Sequence, residues 1–165
     1  MRSTRIPFDK SATVHKSEKF ICIESLSGAS GLRYRENESY RIYLKPGAAD
    51  EALGQVLLEA LDRSRFVEPS SEREFYRPDR VRQVYGSWQE DFMARYRYKS
   101  KRDAYKSMDW CLAKLSEGKI SIQPHQRDKP GSWRNLPGDR TVVIRETRDV
   151  KAVGAALRLA LERCQ

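Results

Sequence analysis

The chain has 165 residues, 39% of them hydrophobic and 33% charged, a size that fits one domain with a packed core, residues 1–165. No apolar run approaches the roughly 18 residues of a membrane helix, and Met1-Arg2-Ser3-Thr4-Arg5 lacks the apolar stretch of a secretory signal, so a cytoplasmic protein with no membrane partner is expected. Thirty-two Lys and Arg against 23 Asp and Glu leave a net charge of +9, which suits an acidic partner: nucleic acid, an anionic membrane surface or an acidic protein face.

Residues 1–17 are polar and mixed, and are expected to lie loosely against the surface. Phe20-Ile21-Cys22-Ile23 is a short β-rich run. Ser25 to Gly31 reads as a Ser/Gly loop. Ser39 to Leu44 alternates polar and apolar as a half-buried strand does, and Pro46-Gly47 ends it. A helix follows, with Asp50 as its expected cap and Leu53, Val56, Leu57, Ala60 and Leu61 on one face. Val67 to Pro78 reads as irregular. From Asp79 to Tyr98, the residues Val81, Tyr85, Trp88, Phe92 and Tyr96 recur at spacings of three and four, giving a helix with an aromatic stripe. Gly86 weakens that helix by about 1 kcal/mol relative to Ala. Residues 101–108 continue as a short helix with Tyr105 and Met108 inward.

Trp110–Leu115 and Lys119–Gln123 form the arms of a predicted hairpin, turning at Ser116-Glu117-Gly118. Pro124 is expected to stop the second arm. His125 to Asp139 reads as a loop, Thr141 to Ile144 as a compact buried strand, and 150–163 as a helix in which Gly154 marks close packing. The pattern predicts an α+β fold: one domain, a mostly antiparallel sheet, and three to four helices packed on it.

Chemistry-bearing motifs are sparse. Cys22, Cys111 and Cys164 are odd in number and far apart, as expected of free thiols behaving as small hydrophobes. Neither they nor His15 and His125 show metal-ligand spacing, so no metal and no cofactor are expected. No nucleophile motif and no phosphate-cradling Gly loop is present. Asp109 with Glu117-Gly118-Lys119 matches the acidic residue and Glu-x-Lys of metal-dependent nucleases, but Glu117 and Lys119 fall at a predicted tight turn and not within a strand. The chain is therefore not read as an enzyme.

Two binding features remain. Arg95, Arg97, Lys99, Lys101, Arg102 and Lys106 interleave with Tyr96, Tyr98 and Tyr105. That combination supplies phosphate neutralisation and base stacking, the alternative reading of a nucleic-acid-binding module. Against it, Tyr96 continues the inward stripe, which makes the cluster a solvated face and nucleic acid the less favoured partner. Trp133, in a Pro/Gly-rich loop, is either an anchor to the core or a binding hot spot.

Several segments resemble the immunity proteins of bacterial contact-dependent growth inhibition, the CdiI type. They are Tyr98-Lys99-Ser100-Lys101-Arg102, Lys106-Ser107-Met108, Cys111 and Gly118-Lys119-Ile120-Ser121-Ile122-Gln123-Pro124. Tyr85 to Trp88 with Phe92-Met93, Val142-Val143-Ile144, Val153-Gly154-Ala155-Ala156-Leu157-Arg158 and Arg163-Cys164 match as well. The likeness covers the second half of the chain; the first half matches only in its order of strands and helix. Ser100 departs from the Thr expected there, as does the loop after Pro124.

The resemblance implies a cytoplasmic inhibitor that binds the C-terminal toxin domain of a cognate effector, often a nuclease, one to one and by occlusion. In some members a toxin hairpin extends the immunity protein's sheet. Tyr34, Arg35, Lys99, Lys101, Arg102, His125 and Trp133 are the candidate contact residues, chosen as aromatic or charged groups near sheet edges and loops. The interface is expected to be charged. Its sign stays open, because Glu36 with Glu38, and Asp50 with Glu51, are local acidic pairs in a basic chain.

Overall fold

The computed structural model describes residues 8–29, 33–36 and 39–165; Met1–Arg5, Ser30, Gly31 and Glu38, on which readings above bear, lie outside the described residues. Seven strands form an antiparallel sheet: β1 (Lys10–Lys16), β2 (Ile21–Leu26), β3 (Arg41–Leu44), β4 (Asp109–Ser116), β5 (Lys119–Arg127), β6 (Trp133–Asn135) and β7 (Val142–Arg145). Their order is β3-β2-β1-β4-β5-β6, and β7 also pairs with β5. Five helices flank it among the described residues: α1 (Asp50–Asp62), α2 (Pro69–Phe75), α3 (Pro78–Arg95), α4 (Lys101–Tyr105) and α5 (Val150–Arg163). The α+β class and the antiparallel sheet agree with the sequence reading.

Alternation along the strands sorts side chains onto two unlike faces. Ala12, Val14, Ile21, Ile23, Cys111, Ala113, Ile120 and Ile122 pack under α1 and α5. Both helices turn their apolar stripes to them: Leu53, Leu57, Ala60 and Leu61 from α1, and Val153, Leu157, Ala160 and Leu161 from α5. Where α1 crosses α5, a Cβ on Gly54 would lie 1.7 Å from the Val150 carbonyl oxygen, and one on Gly154 would lie 1.7 Å from that of Asp50. Gly154 therefore does mark close packing, and Gly54 is its counterpart.

The second face is more aromatic and polar. Phe20, Cys22, Trp88, Phe92, Ala104, Tyr105 and Met108 form its core under α3 and α4. Tyr96 caps α3 and Arg97 follows at φ 56°. Arg97 N–H bonds to Ala94 O and Tyr98 N–H to Met93 O at 3.0 Å, closing the helix end with a left-handed residue. Ser100 caps α4 by accepting from Asp103 N–H at 3.1 Å, a role that a Thr hydroxyl also serves.

Several expectations are corrected. Residues 10–17 are not loosely placed: β1 sits between β2 and β4 and is buried through its middle. Its second face carries Ser11, Thr13 and His15, so the strand reads as polar although both of its sides are covered. The segment from 67 to 78 contains α2, because Pro69 stands at the first helical turn, where a missing N–H costs nothing. It brings the helix total above three to four.

Asp50 is not the cap of α1. Ala49 holds that position, and the Asp50 carboxylate accepts from Arg158 Nε of α5 at 2.7 Å. Pro124 does not end β5: it lies between the residues that pair with β7 and those that pair with β6, an interruption where a strand tolerates proline. His125 is thus a strand residue, and Trp133 opens β6. Strand β7 is only partly buried, with Val143 55% exposed. The predicted hairpin turn is correct and takes just two residues, Glu117 at φ 52° and Gly118 at φ 74°, as a type I′ turn requires.

Candidate functional site

Between the second face of the sheet and α3 lies a cleft of about 610 Å³. Its floor comes from the central strands. Thr13 and His15 project from β1 and Trp110 from β4. Trp110 Nε1–H donates to Thr13 Oγ1 at 2.6 Å, which fixes the orientation of the indole. The His125 ring stacks on it, with centroids 3.9 Å apart. One wall is Trp133, whose Nε1–H donates to Met108 O at 2.9 Å. The facing wall is α3, with Val81, Arg82, Tyr85 and Gln89. The aromatic stripe of α3 begins as cleft lining at Val81 and Tyr85 and becomes core at Trp88 and Phe92. A hydrogen-bonded chain braces this wall: Tyr105 OH donates to Gln89 Oε1 at 2.8 Å and lies 2.9 Å from Tyr85 OH.

The rim is cationic. Arg33, Arg35, Arg82 and Lys101 all border the opening. Arg35 is held by aromatic and ionic contacts. Its guanidinium lies 4.4 Å from the Trp88 ring centroid, and its Nε is 3.3 Å from Glu24 Oε2. Glu24 is fully buried on β2 and also accepts from Arg41 Nε at 2.9 Å. A buried carboxylate thus anchors two arginines, which is how the charge is tolerated there.

His15 is buried among Trp88, Trp110 and Trp133, at ring-centroid distances of 4.7, 6.3 and 5.3 Å. Its Nδ1 has no hydrogen-bond partner. Burial, then the charges of Arg35 and His125, hold its pKa well below the ordinary value of 6.5. Burial lowers His125 as well. The unfolded chain therefore takes up protons near pH 6.5 while the folded chain does not. The stabilisation is full above that pH and is lost as pH falls below it, by at most about 1.4 kcal/mol per pH unit for each such histidine. Denaturation midpoints are expected to drop between pH 7.5 and 5.0, and His15→Gln is expected to flatten that drop. An unchanged slope in the variant contradicts this assignment.

Of the residues chosen from sequence, Tyr34, Arg35, Lys101 and Trp133 line the cleft, and His125 lies buried beneath it against Trp110. Lys99 and Arg102 lie apart from it. Lys99 borders a shallow depression with Glu18 and Tyr98, and Arg102 a second one with Lys106 and Arg127. Trp110, Tyr85, Arg82 and His15 are lining residues that sequence reasoning did not select. Only the helical phase of Tyr85 and the period-two placement of Trp110 on its strand carried any signal.

Other candidates separate. Asp109 opens β4 and pairs with Arg127, whereas Glu117 lies beyond the other end of that strand in the hairpin turn. Eight residues of strand hold them about 26 Å apart, so they cannot share a metal. No group of three His, Cys, Asp or Glu converges among the described residues. In the basic cluster, Tyr96 stacks on Phe20 at 4.7 Å, Tyr98 OH donates to Ser17 Oγ at 2.8 Å, and Tyr105 is buried. The tyrosines needed as a base-stacking platform are turned inward. Glu36 is paired with Arg65 and Asp50 with Arg158, so neither carboxylate stands as an unpaired acidic patch. No helix among the described residues is long and apolar enough to cross a membrane.

Comparison with known proteins bears on the whole of this architecture. The family model described as CDI immunity protein matches residues 10–164. The immunity protein CdiI-YPIII of Yersinia pseudotuberculosis serotype O:3 (strain YPIII) is 30% identical over 172 aligned positions, covering 93% of this chain and 94% of that protein. A protein of unknown function from Neisseria meningitidis has the same fold, with a TM-score of 0.89, 26% identity and 99% of each chain covered. A chain of the CdiA-CT/CdiI toxin and immunity complex from Yersinia pseudotuberculosis superposes with a TM-score of 0.87 and 28% identity, over 96% of this chain and 98% of that one.

Proposed function

The chain belongs to the CDI immunity protein family, and from that premise we propose that it binds the C-terminal toxin domain of a cognate contact-dependent growth inhibition effector and neutralises it one to one. The observation that carries this reading is the end-to-end match to immunity proteins, one of whose solved relatives comes from a complex with its toxin. The protein acts in the cytoplasm of the cell that makes it.

The mechanism is stoichiometric occlusion of a toxin, here taken to be a nuclease. An occluding inhibitor needs a shaped surface and no reactive centre. The cleft supplies such a surface: aromatic groups at its floor and walls for desolvated anchoring, and cations around its mouth. Arg82 and Lys101 have no carboxylate partner among the described residues. With the net charge of +9, they favour an acidic segment of the toxin as the complement. Such charges steer encounter and reject non-cognate partners more than they add affinity.

The test is growth of a susceptible bacterium expressing the cognate toxin domain, with and without this chain. Restored growth is expected with the cognate toxin and not with an unrelated one. Continued killing in the presence of folded protein overturns the reading.

A further inference from the structure

Cys111 and Cys164 were expected to be isolated thiols, yet the fold brings their sulfurs to 3.5 Å. Cys111 points from β4 into the core under α1 and α5 and is fully buried. Cys164 caps α5 and is partly accessible. The chain is held in place just beyond it: Gln165 N–H donates to His125 O at 3.2 Å, and Arg127 N–H donates to Gln165 O at 2.6 Å. These bonds lay the segment after α5 beside β5 and keep Cys164 opposite β4. Cys22 has no such neighbour. It lies on the other face of the sheet, 3.8 Å from Glu24 Oε1.

We propose that Cys111 and Cys164 form a dithiol site for thiol–disulfide exchange, closing to an intramolecular disulfide on reaction with a small disulfide of the glutathione type. The two sulfurs divide the work. The sulfur–sulfur contact lowers the pKa of Cys164; the same contact, and then burial, raises that of Cys111. Cys164 is also the more accessible, so it attacks first. Its thiolate displaces one glutathione thiolate from glutathione disulfide, leaving a mixed disulfide on Cys164. Cys111 gives up its proton and attacks the Cys164 sulfur, expelling the second glutathione. Two protein thiols are oxidised to one disulfide, and one glutathione disulfide is reduced to two glutathiones.

A disulfide bond is about 2.05 Å long, so the sulfurs must close by roughly 1.5 Å. Cys164, outside the last helical turn, can move more readily than β4 in the centre of the sheet. The cross-link spans 53 residues of sequence and ties α5 to the sheet. It restricts the unfolded chain and raises Tm by on the order of 10 °C. The site lies on the sheet face opposite the cleft, so its test stands apart from toxin binding.

The experiment exposes the purified, reduced protein to excess glutathione disulfide, alkylates it after unfolding, and maps peptides by mass without reductant. The expected product links Cys111 to Cys164, is two hydrogens lighter than the dithiol, and has Cys22 alkylated; its Tm is higher. Cys111→Ser is expected to halt at a stable glutathione adduct on Cys164, and Cys164→Ser to give no adduct at Cys111. Wild-type protein that keeps both thiols alkylatable, retains glutathione on Cys164 without a cross-link, or links Cys22 overturns the proposal.

Discussion

Replacing Gly54 or Gly154 by Ala is expected to lower stability by about 3 kcal/mol or more, the upper range for overpacking a tight contact. The reason is that the obstacle is backbone. The new methyl carbon would sit 1.7 Å from a carbonyl oxygen of the facing helix, Val150 O in one case and Asp50 O in the other. No rotamer change relieves such a contact, so α1 and α5 must separate. Separation loosens the layer that covers Ile21, Ile23, Ile120 and Ile122. It also pulls on the Asp50–Arg158 ion pair that joins the two helices.

For a chain of this size, 3 kcal/mol corresponds to a fall in Tm of roughly 6–12 °C. Gly86→Ala is the matched control. It too is a helical glycine, but a Cβ there meets nothing within 4 Å, and the substitution is expected to stabilise α3 by about 0.5–1 kcal/mol. Thermal unfolding of the three variants side by side checks both signs. Equal effects at Gly54 and Gly86 would mean that the helix crossing is not as close as described.

Glu24→Ala is expected to cost about 3–5 kcal/mol, because removing one member of a buried ion pair leaves its partners charged and unpaired. Here two partners lose their anchor. Arg41 lies on β3 and Arg35 in the loop at the mouth of the cleft, and both guanidiniums point at the same fully buried carboxylate. Loss of Glu24 therefore also frees Arg35 from its place over Trp88. The variant should be poorly folded, or folded with a disordered rim and weakened toxin binding. Chemical denaturation of Glu24→Ala beside Glu24→Gln measures this, since Gln preserves an acceptor and loses only the charge. A change below about 1 kcal/mol for Glu24→Ala, the range of exposed pairs, would show that the cluster is solvated.

How much of this was legible in the sequence depended on whether one signal acted alone. Helices α1 and α5 bury one stripe each against an apolar sheet face, so their 3.6-residue period survives in the sequence, and Gly154 stood out within it. The hairpin turn was legible because Gly118 supplies the positive φ that a tight turn needs. Strand β1 was not, because its second face carries the buried polar residues Ser11, Thr13 and His15, the last two set against aromatic rings. Helix α2 was hidden because Pro69-Ser70-Ser71 is equally a loop signal and a helix start. The cleft was half legible. Arg35, Lys101 and Trp133 could be chosen one by one as conspicuous groups, but their convergence depends on β1, β4, β6 and α3 meeting in space. Nothing local in the sequence reports that meeting. The nearness of Cys111 to Cys164 was hidden for the same reason.

The most direct test of the account is calorimetric titration of the cognate toxin domain into the wild-type chain and into Arg82→Glu/Lys101→Glu. The wild-type chain should bind with one-to-one stoichiometry. The double reversal should retain the wild-type Tm and lose affinity by roughly 100-fold or more, the cost of setting like charges against each other at a complementary face. Absence of binding by the folded wild-type chain contradicts the immunity function, and wild-type affinity in the double variant contradicts the cleft as its contact face.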